Sequence, residues 1–335
     1  MKRLLALVII LASPVFAQHE HVAMKRAKVD LSTRNDASAH VLTVRLGPMN
    51  LPAHSDHMAI AQPADVHFAI PFDGWVLAYH PGLSDQAGNS LPGTLLHHVA
   101  FWNTKRADFL CPNFQEHIFG AGSEMADWQA VPGFGYRVHP GDRIRVSSMF
   151  NNPTATDYPQ TYLEVKLDYE PAGSVQVKNV YPAWFDVQEC RQMSDYDLQA
   201  GNNVTSGSLK LSYPGRLLGV GGHMHNFGRE LRFENVTRKE EIAKLEAKSD
   251  DQGHLLSIPI VLFLDRGGYH LNKGDEVRVT AAYENSSGHD LPKGAMGIVV
   301  GYFLPDNDAE MWKTLVRTGN EKVSGGSDSM PNMAH

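Results

Sequence analysis

Two histidine pairs and one methionine carry the side chains best suited to metal binding. His223 and His225 stand one residue apart in the stretch GGHMHNFG, and residues i and i+2 of a β-strand project from the same face. His97 and His98 are adjacent in LLHHVAFWN, and Met296 precedes the apolar stretch GIVVGYF. Imidazole nitrogen and thioether sulfur together suit copper better than magnesium or calcium, and zinc rarely recruits methionine. These residues therefore predict a copper site.

Each of these clusters also has an interpretation without a metal. The pair formed by His223 and His225 could be the polar face of a strand. Adjacent histidines in a regular strand point to opposite faces, so His97 and His98 need a bulge or a twist to reach one ion. A lone methionine before an apolar strand is usually part of the core, and Met296 has that position. No single cluster decides between the two interpretations.

The elements that must position these residues are predicted to be β-strands. Short alternating apolar stretches rich in Val, Ile, Tyr and Phe recur along the chain, for example RIRVSSMF, TYLEVKLDYE and DEVRVTAAYE. Gly, Pro, Asn and Asp separate them, as in HPGD and NKGDE. This pattern predicts an antiparallel all-β protein built of β-sandwiches. The strong helix formers in residues 238–251 predict one exposed helix.

The chain divides into five predicted segments. Residues 1–17 have the basic start, apolar run and small residues of a secretory signal peptide, and residues 18–38 follow as an N-terminal extension. Two β-sandwich domains are expected at 39–171 and 172–306, with a flexible tail at 307–335. The apolar run is too short for a membrane anchor. We therefore expect a secreted protein, periplasmic or extracellular.

Composition narrows the function classes. The formal net charge of −7, with both signs interspersed, disfavours nucleic acid as a partner. The 17 His and 12 Met exceed what surface solubility explains. Cys111 and Cys190 are the only cysteines of the sequence. A disulfide in an oxidising compartment and two buried thiols both fit this pair.

The order of the clusters is a more specific signal than any one of them. His-His, then His-x-His, then Met before GIVVGYF resembles the copper type II, ascorbate-dependent monooxygenases, the family of the peptidylglycine α-hydroxylating and dopamine β-monooxygenases. The resemblance runs from about Val41 to Pro305 and includes IPFDGWVLAYHPGL and VPGFGYRVHPGDRIRV. It implies two consecutive antiparallel, jelly-roll-like β-sandwiches that face each other across a solvent-filled cleft and carry one copper each.

The resemblance also implies a role for each cluster in an oxidoreductase. His223, His225 and Met296 would hold the copper that activates O₂, where the thioether favours Cu(I). His97 and His98 would belong to the copper that donates electrons. The implied reaction is hydroxylation of a C–H bond in a small substrate, with O₂ as oxidant and ascorbate or another reductant as electron donor.

One ligand position departs from the family pattern. The third ligand of the electron-donating copper is a histidine in the family, and the matching position here is Met149. Met149 could ligate through sulfur, or it could be a core methionine that leaves a weak two-histidine site. His117 and His139 lie in the same half of the chain and could substitute for the missing histidine.

The substrate positions depart as well. The amidating branch of the family has an arginine two residues before the His-x-His pair, where this chain has Gly221. Polar side chains that follow the methionine ligand in that branch are replaced by Ile298 and Val300. A carboxylate clamp is therefore missing. These positions disfavour a peptide with a C-terminal glycine and favour an apolar or uncharged substrate.

Two other function classes fit the same sequence. A non-catalytic periplasmic protein that binds or buffers copper would keep one intact site. The Met and His residues outside the motifs favour this alternative, including those in PAHSDHM (52–58) and QHEHVAM (18–24), which could bind copper loosely. A metal-free β-sandwich that binds glycans or other surface ligands would keep the same metal content after replacement of His223 and His225.

Overall fold

Strands form most of the protein, which is described here by a computed structural model that covers residues 26–123, 127–191 and 193–316. The strands of the N-terminal half are β1 (Arg26–Ala27), β2 (Asp30–Asp36), β3 (Val41–Leu51), β4 (Gln62–Pro63), β5 (Val66–Ala69), β6 (Gly74–Ser84), β7 (Leu96–Ala107), β8 (Gln115–Gly122), β9 (Phe134–Val138), β10 (Arg143–Phe150), β11 (Tyr158–Pro171) and β12 (Lys178–Asn179). A 3₁₀ turn at Gly93–Leu95 leads into β7.

The C-terminal half contains shorter strands and one helix. Its strands are β13 (Tyr181–Asp186), β14 (Tyr196–Leu198), β15 (Gly201–Lys210), β16 (Gly215–Met224), β17 (Gly228–Asn235), β18 (Glu240–Glu246), β19 (Lys248–Ser249), β20 (Leu255–Ser257), β21 (Val261–Leu262), β22 (Tyr269–Leu271), β23 (Glu276–Asn285), β24 (Leu291–Ala295) and β25 (Gly297–Pro305). A 3₁₀ turn occupies Leu264–Arg266, and the helix is α1 (Asp308–Leu315).

Two pairs of sheets enclose two apolar cores. In the N-terminal half, a sheet of order β5-β10-β7-β8 and a sheet of order β12-β9-β6-β11-β3-β2 share a core that includes Phe101 and Leu167. In the C-terminal half, the sheets β13-β25-β16-β21 and β15-β23-β17-β18 share a core that includes Phe185 and Phe233. The predicted all-β fold with antiparallel β-sandwich sheets is confirmed.

Strand β11 illustrates how the sequence pattern determines which face of the sheet is buried. Its apolar residues Leu163, Val165 and Leu167 are buried, and the charged residues between them lie on the other face. Because successive strand residues alternate between faces, this spacing buries one side of the sheet and leaves the other polar. On the polar face, Glu164 pairs with Arg45 of the neighbouring β3 at 3.2 Å.

The predicted helix at 238–251 is wrong. Most of this segment forms β18 and the short β19, and β18 pairs antiparallel with β17. Leu245 lies opposite Leu231 and Ala243 lies opposite Phe233, and all four side chains are buried in the C-terminal core. Tertiary pairing and burial therefore outweigh the helix propensity of the Lys and Glu residues.

Two predicted segment boundaries also differ from the structure. Strand β2 pairs along its whole length with β3, so residues 30–36 belong to the N-terminal sheet and not to a separate extension. Residues 308–315 form α1, whose Met311 and Leu315 are buried in the C-terminal core, and so they are not a flexible tail. The predicted signal peptide at 1–17 and the last residues of the chain lie outside the described residues. No helix of the described ranges is long and apolar enough to cross a membrane.

Cys111 and Cys190 form a disulfide, with 5.4 Å between their Cα atoms and a sequence separation of 79. Of the two alternatives that the sequence allows, the structure contains the bridge. Cys111 follows β7, and Cys190 follows β13. The bond therefore ties the N-terminal half to the C-terminal half.

His80 on β6 forms a pH-sensitive contact with two carboxylates. Its Nδ1 lies 3.0 Å from Asp127 Oδ2, and its Nε2 lies 3.1 Å from Asp168 Oδ2. Burial lowers the pKa of His80, but the hydrogen bonds to the two aspartates outweigh it and raise the pKa above 6.5. A raised folded-state pKa stabilises the fold below the unfolded-state pKa, and this stabilisation is lost as the pH rises through the folded-state value.

We expect His80→Gln to lower the free energy of unfolding by about 0.5 kcal/mol near pH 5.5 and by less near pH 8.5. Urea denaturation at both pH values measures the difference. The same loss at both values would show that the charge of His80 does not contribute.

Candidate metal centre

Five histidines from both halves of the chain meet in one cluster. The ring of His97 lies 5.0 Å from that of His98 and 5.2 Å from that of His225, centroid to centroid. The ring of His223 lies 5.7 Å from that of His225, and the ring of His57 lies 4.8 Å from that of His97. These five imidazoles, called the histidine cluster below, form a continuous chain of ring contacts.

A bulge in β7 brings His97 and His98 to the same side. Across the β7–β10 pair, Met149 lies opposite His98 and Phe150 lies opposite Leu96, so His97 is an extra residue without its own partner. Such a bulge bends the strand and redirects a side chain. It supplies the condition that two adjacent histidines need in order to approach one ion.

Met149 stands beside this bulge. Residues directly opposite each other in an antiparallel pair project from the same face, so the Met149 side chain is on the His98 side of the sheet. Met149 is buried, but it is not among the described side chains that form the N-terminal apolar core. This position is compatible with the predicted role of Met149 as a sulfur ligand.

Strand alternation directs His223 and His225 away from the C-terminal core. Val220 and Met224 on the alternate positions of this segment are buried in that core. Gly222 shares their face, and a Cβ atom there would lie only 2.5 Å from Leu231 Cδ1. The glycine therefore lets β16 pack closely on the core while the two histidines project from the opposite face.

The Tyr283 hydroxyl joins the His225 backbone to the Met296 backbone. It accepts hydrogen bonds from the backbone N–H of His225 at 2.9 Å and from that of Met296 at 3.1 Å, and it donates to the Met296 carbonyl. Tyr283 is 3% exposed. The backbones of His225 and Met296 therefore lie close together, and the family resemblance implies that these two residues and His223 are ligands of one copper. Nothing in the stretch AAYE marks Tyr283 as part of that site.

Four histidines of the cluster have lowered pKa values that favour their neutral form. Burial lowers the pKa of His97 to about 4, with a further decrease from the neighbouring His57. Burial and the adjacent imidazoles lower the pKa values of His98 and His225 well below the usual range, and burial also lowers that of His57. Neutral imidazole is the form that ligates metals.

Unpaired nitrogens in the histidine cluster fit a metal ion. His98 Nδ1 and His225 Nε2 are buried and have no hydrogen-bond partner in the described part of the chain. A buried polar atom without a partner costs about 1–3 kcal/mol, which a bound ion would offset. Two imidazoles that share one ion at a metal–nitrogen distance of about 2 Å hold their ring centroids about 5 Å apart. The ring separations of the cluster have this size.

Side-chain rotations would still be needed for binding. Within residues 26–123, 127–191 and 193–316, no three His, Cys, Asp or Glu side chains are already arranged around a metal position. Thioether sulfur is not one of these donor types. The imidazoles and the two methionines are therefore a donor set suited to copper that is not in ligand geometry around one point.

His117 and His139 lie outside the ring contacts of the cluster. His117 stacks on Trp184 with centroids 3.7 Å apart and on Trp102 at 4.9 Å. His139 contacts Asp73 at 2.9 Å and the ring of Trp312. Neither histidine therefore has a ring contact with the histidine cluster, although His117 Nε2 is also buried without a hydrogen-bond partner in the described residues. The histidine that joins the N-terminal pair is His57, from the stretch PAHSDHM.

Asp186 is a buried carboxyl on the same sheet as His223. Both residues lie opposite Ile298, Asp186 from β13 and His223 from β16, so they flank this side chain on one face. Burial raises the pKa of Asp186 to about 6. No local sequence pattern marks this carboxyl, because its position depends on the pairing of three strands that are distant in sequence.

Comparisons with known proteins give no family for the chain. No family model matches it, and no curated protein matches it. Among solved structures it is similar to PNGF-II, with 11% identity and a TM-score of 0.38 over 78% of this chain and 66% of that one. It is also similar to the major capsid protein P2 of bacteriophage PM2, with 12% identity and a TM-score of 0.33 over 79% of this chain and 99% of that one. The chain spans just under two thirds of PNGF-II.

Proposed function

We propose that this protein is an exported copper-dependent monooxygenase that hydroxylates a C–H bond of a small substrate, with O₂ and a reductant such as ascorbate. The observation that carries the proposal is the histidine cluster. Half-buried imidazoles from both halves of the chain meet there, and His98 and His225 carry buried, unpaired nitrogens. Two methionines lie near the cluster. Met149 is opposite His98 in the strand register, and the Tyr283 hydroxyl links the Met296 backbone to the His225 backbone. The disulfide supports export, because such bonds persist in oxidising compartments.

Copper bound to this cluster would supply one-electron chemistry and the activation of O₂. The residues of the chain supply the donors and their surroundings. One nitrogen of His98 and one of His225 are buried, and burial together with the neighbouring imidazoles lowers the pKa of both side chains and keeps them neutral. Tyr283 fixes the backbones of His225 and Met296 relative to each other. Such fixed placement limits how far the donors must move when a metal binds.

An experiment with copper-loaded protein tests the proposed activity. Ascorbate and a panel of uncharged small substrates are added, and oxygen consumption is measured together with product formation from isotopically labelled O₂. We expect copper-dependent incorporation of one labelled oxygen atom into a product. Oxygen consumption that yields only peroxide, or none at all, would contradict the proposed monooxygenase.

The lining beside His223 favours an uncharged substrate. Gly221 lies opposite Val300, and Ile298 lies opposite His223. A Cβ atom at Gly221 would meet only Ile260 Cγ1, at an ordinary contact distance of 3.5 Å. Ile260 is itself 56% exposed, so an apolar surface reaches this edge of the site. A carboxylate would have no cationic partner among these residues.

We expect Gly221→Arg to change substrate preference, because the free space at this position admits a longer side chain. The wild-type protein should prefer an uncharged substrate to its carboxylate analogue, and Gly221→Arg should shift the ratio of kcat/KM values by about tenfold toward the carboxylate. The matched control is Gly221→Met, which adds length without charge. An equal shift in both variants would mean that space, and not charge, sets the preference.

A second candidate function is copper binding without turnover. The contact between His97 and His225 favours it, because the two histidine pairs touch, whereas the resemblance implies two sites across a solvent-filled cleft. A storage or buffering protein needs only tight and reversible binding. It would bind copper through the same residues and form no product in the labelled-oxygen experiment.

A further inference from the structure

We propose that His57 is the third imidazole ligand of the copper site formed by His97 and His98. This inference rests on the proposed copper binding and assigns a ligand that neither the histidine motifs nor the family resemblance indicates. His57 comes from the loop between β3 and β4, and its ring lies 4.8 Å from that of His97. The rings of His57 and His97 meet edge to face at 74°, so their nitrogens can turn toward one ion.

The backbone of His57 is anchored by a buried glutamine. Gln62 is 2% exposed, and its Nε2 donates to the His57 carbonyl and to the Phe150 carbonyl, both at 2.8 Å. Its Oε1 accepts from the Phe150 N–H at 2.8 Å. Phe150 directly follows Met149 on β10, which in turn lies opposite His98. One side chain therefore ties the His57 loop to the strand that flanks the N-terminal histidine pair.

The other side of the loop is fixed as well. Ser55 and Asn152 exchange backbone hydrogen bonds of 2.9 and 2.7 Å. The Asp56 carboxylate accepts from the backbone N–H groups of Met58 and Ala59 at 2.9 and 2.8 Å. His57 thus occupies a loop whose backbone is held before and after it. A ligand on such a preorganised loop loses little conformational freedom when it binds a metal.

A neighbouring histidine provides a matched comparison. His54 lies on the same loop, is exposed, and takes a left-handed backbone conformation with φ of 54°. Asparagine tolerates that conformation better than most residues, so His54→Asn can be made with little strain. His57→Asn removes the imidazole by the same substitution. The two variants therefore differ in which histidine is lost and not in the residue that is introduced.

Copper titration and the nitrogen couplings of bound Cu(II) test the assignment. We expect His57→Asn to weaken one copper equivalent by at least about tenfold and to remove one nitrogen coupling from its electron paramagnetic resonance spectrum. His54→Asn should leave both readouts unchanged. His57→Gln, which keeps more of the side-chain volume, should reproduce the loss if the imidazole is a ligand. Thermal unfolding of the apo proteins establishes that the variants are folded.

The possible failures separate this assignment from the proposed function. Wild-type affinity and spectrum in both His57 variants would overturn the role of His57 and leave copper binding intact. An equal loss of copper affinity in His54→Asn would also overturn it, because the loss would then come from a change in the loop and not from the absence of the His57 imidazole. Absence of copper binding in the wild-type protein would overturn the assignment and the proposed function together.

Discussion

Replacing His225 with alanine is expected to remove one bound copper and to abolish ascorbate-dependent oxygen consumption. His225 is half-buried, its buried Nε2 has no hydrogen-bond partner in the described residues, and its ring touches that of His97 from the other half of the chain. Loss of a ligand at such a position should weaken the copper site by at least about 100-fold. Titration of the apo protein with Cu(I) against a competing chelator measures this change.

The matched control is His289→Ala. His289 is an exposed histidine seven positions before Met296, and its Nδ1 lies 3.2 Å from the Ser287 carbonyl of its own loop. We expect this variant to bind copper and to consume oxygen like the wild type. Unchanged copper affinity in His225→Ala, or an equal loss in both variants, would be inconsistent with a site built on His225.

Removal of the disulfide is expected to destabilise the fold by about 4 kcal/mol, because a cross-link over a loop of this length restricts the unfolded chain strongly. The bond joins Cys111 to Cys190 across 79 positions. The variant is Cys111→Ser combined with Cys190→Ser, which leaves no free thiol. Urea denaturation of the oxidised wild type and of the double variant gives the difference in the free energy of unfolding.

The same double variant reports on the copper site. Because the bond ties the two halves together, its loss should weaken the contact between His97 and His225 and lower the copper affinity. Wild-type protein treated with a thiol reductant should behave like the double variant. A loss of less than about 1 kcal/mol would show that the bond contributes little beyond the packing of the two halves.

Local patterns predicted most of the fold. The alternation of apolar and charged residues in TYLEVKLDYE follows from burial of one face of β11, and it is visible in the sequence because the pattern has a period of two. Residues 240–246 depart from the predicted helix for the opposite reason. Their Lys and Glu residues favour a helix locally, and only the distant partner β17 makes them a strand.

The site was predictable only in its parts. The histidine pairs and Met296 stand out by type and spacing. The bulge that brings His97 and His98 together depends on the register between β7 and β10, which the local sequence does not specify. His57 and Tyr283 reach the site from loops and strands far away in sequence. Their roles therefore become visible only when the strands are paired.

The most direct measurement is the number of copper equivalents bound per chain, in the wild type and in His97→Ala and His223→Ala. We expect the wild type to bind two equivalents of Cu(I) and each variant to lose one, because each histidine belongs to a different half of the cluster. If the wild type binds one equivalent and only His223→Ala loses it, the protein binds copper but has no copper site at His97 and His98. No bound copper in the wild type, or the same copper content in all three proteins, would contradict a copper centre at these histidines.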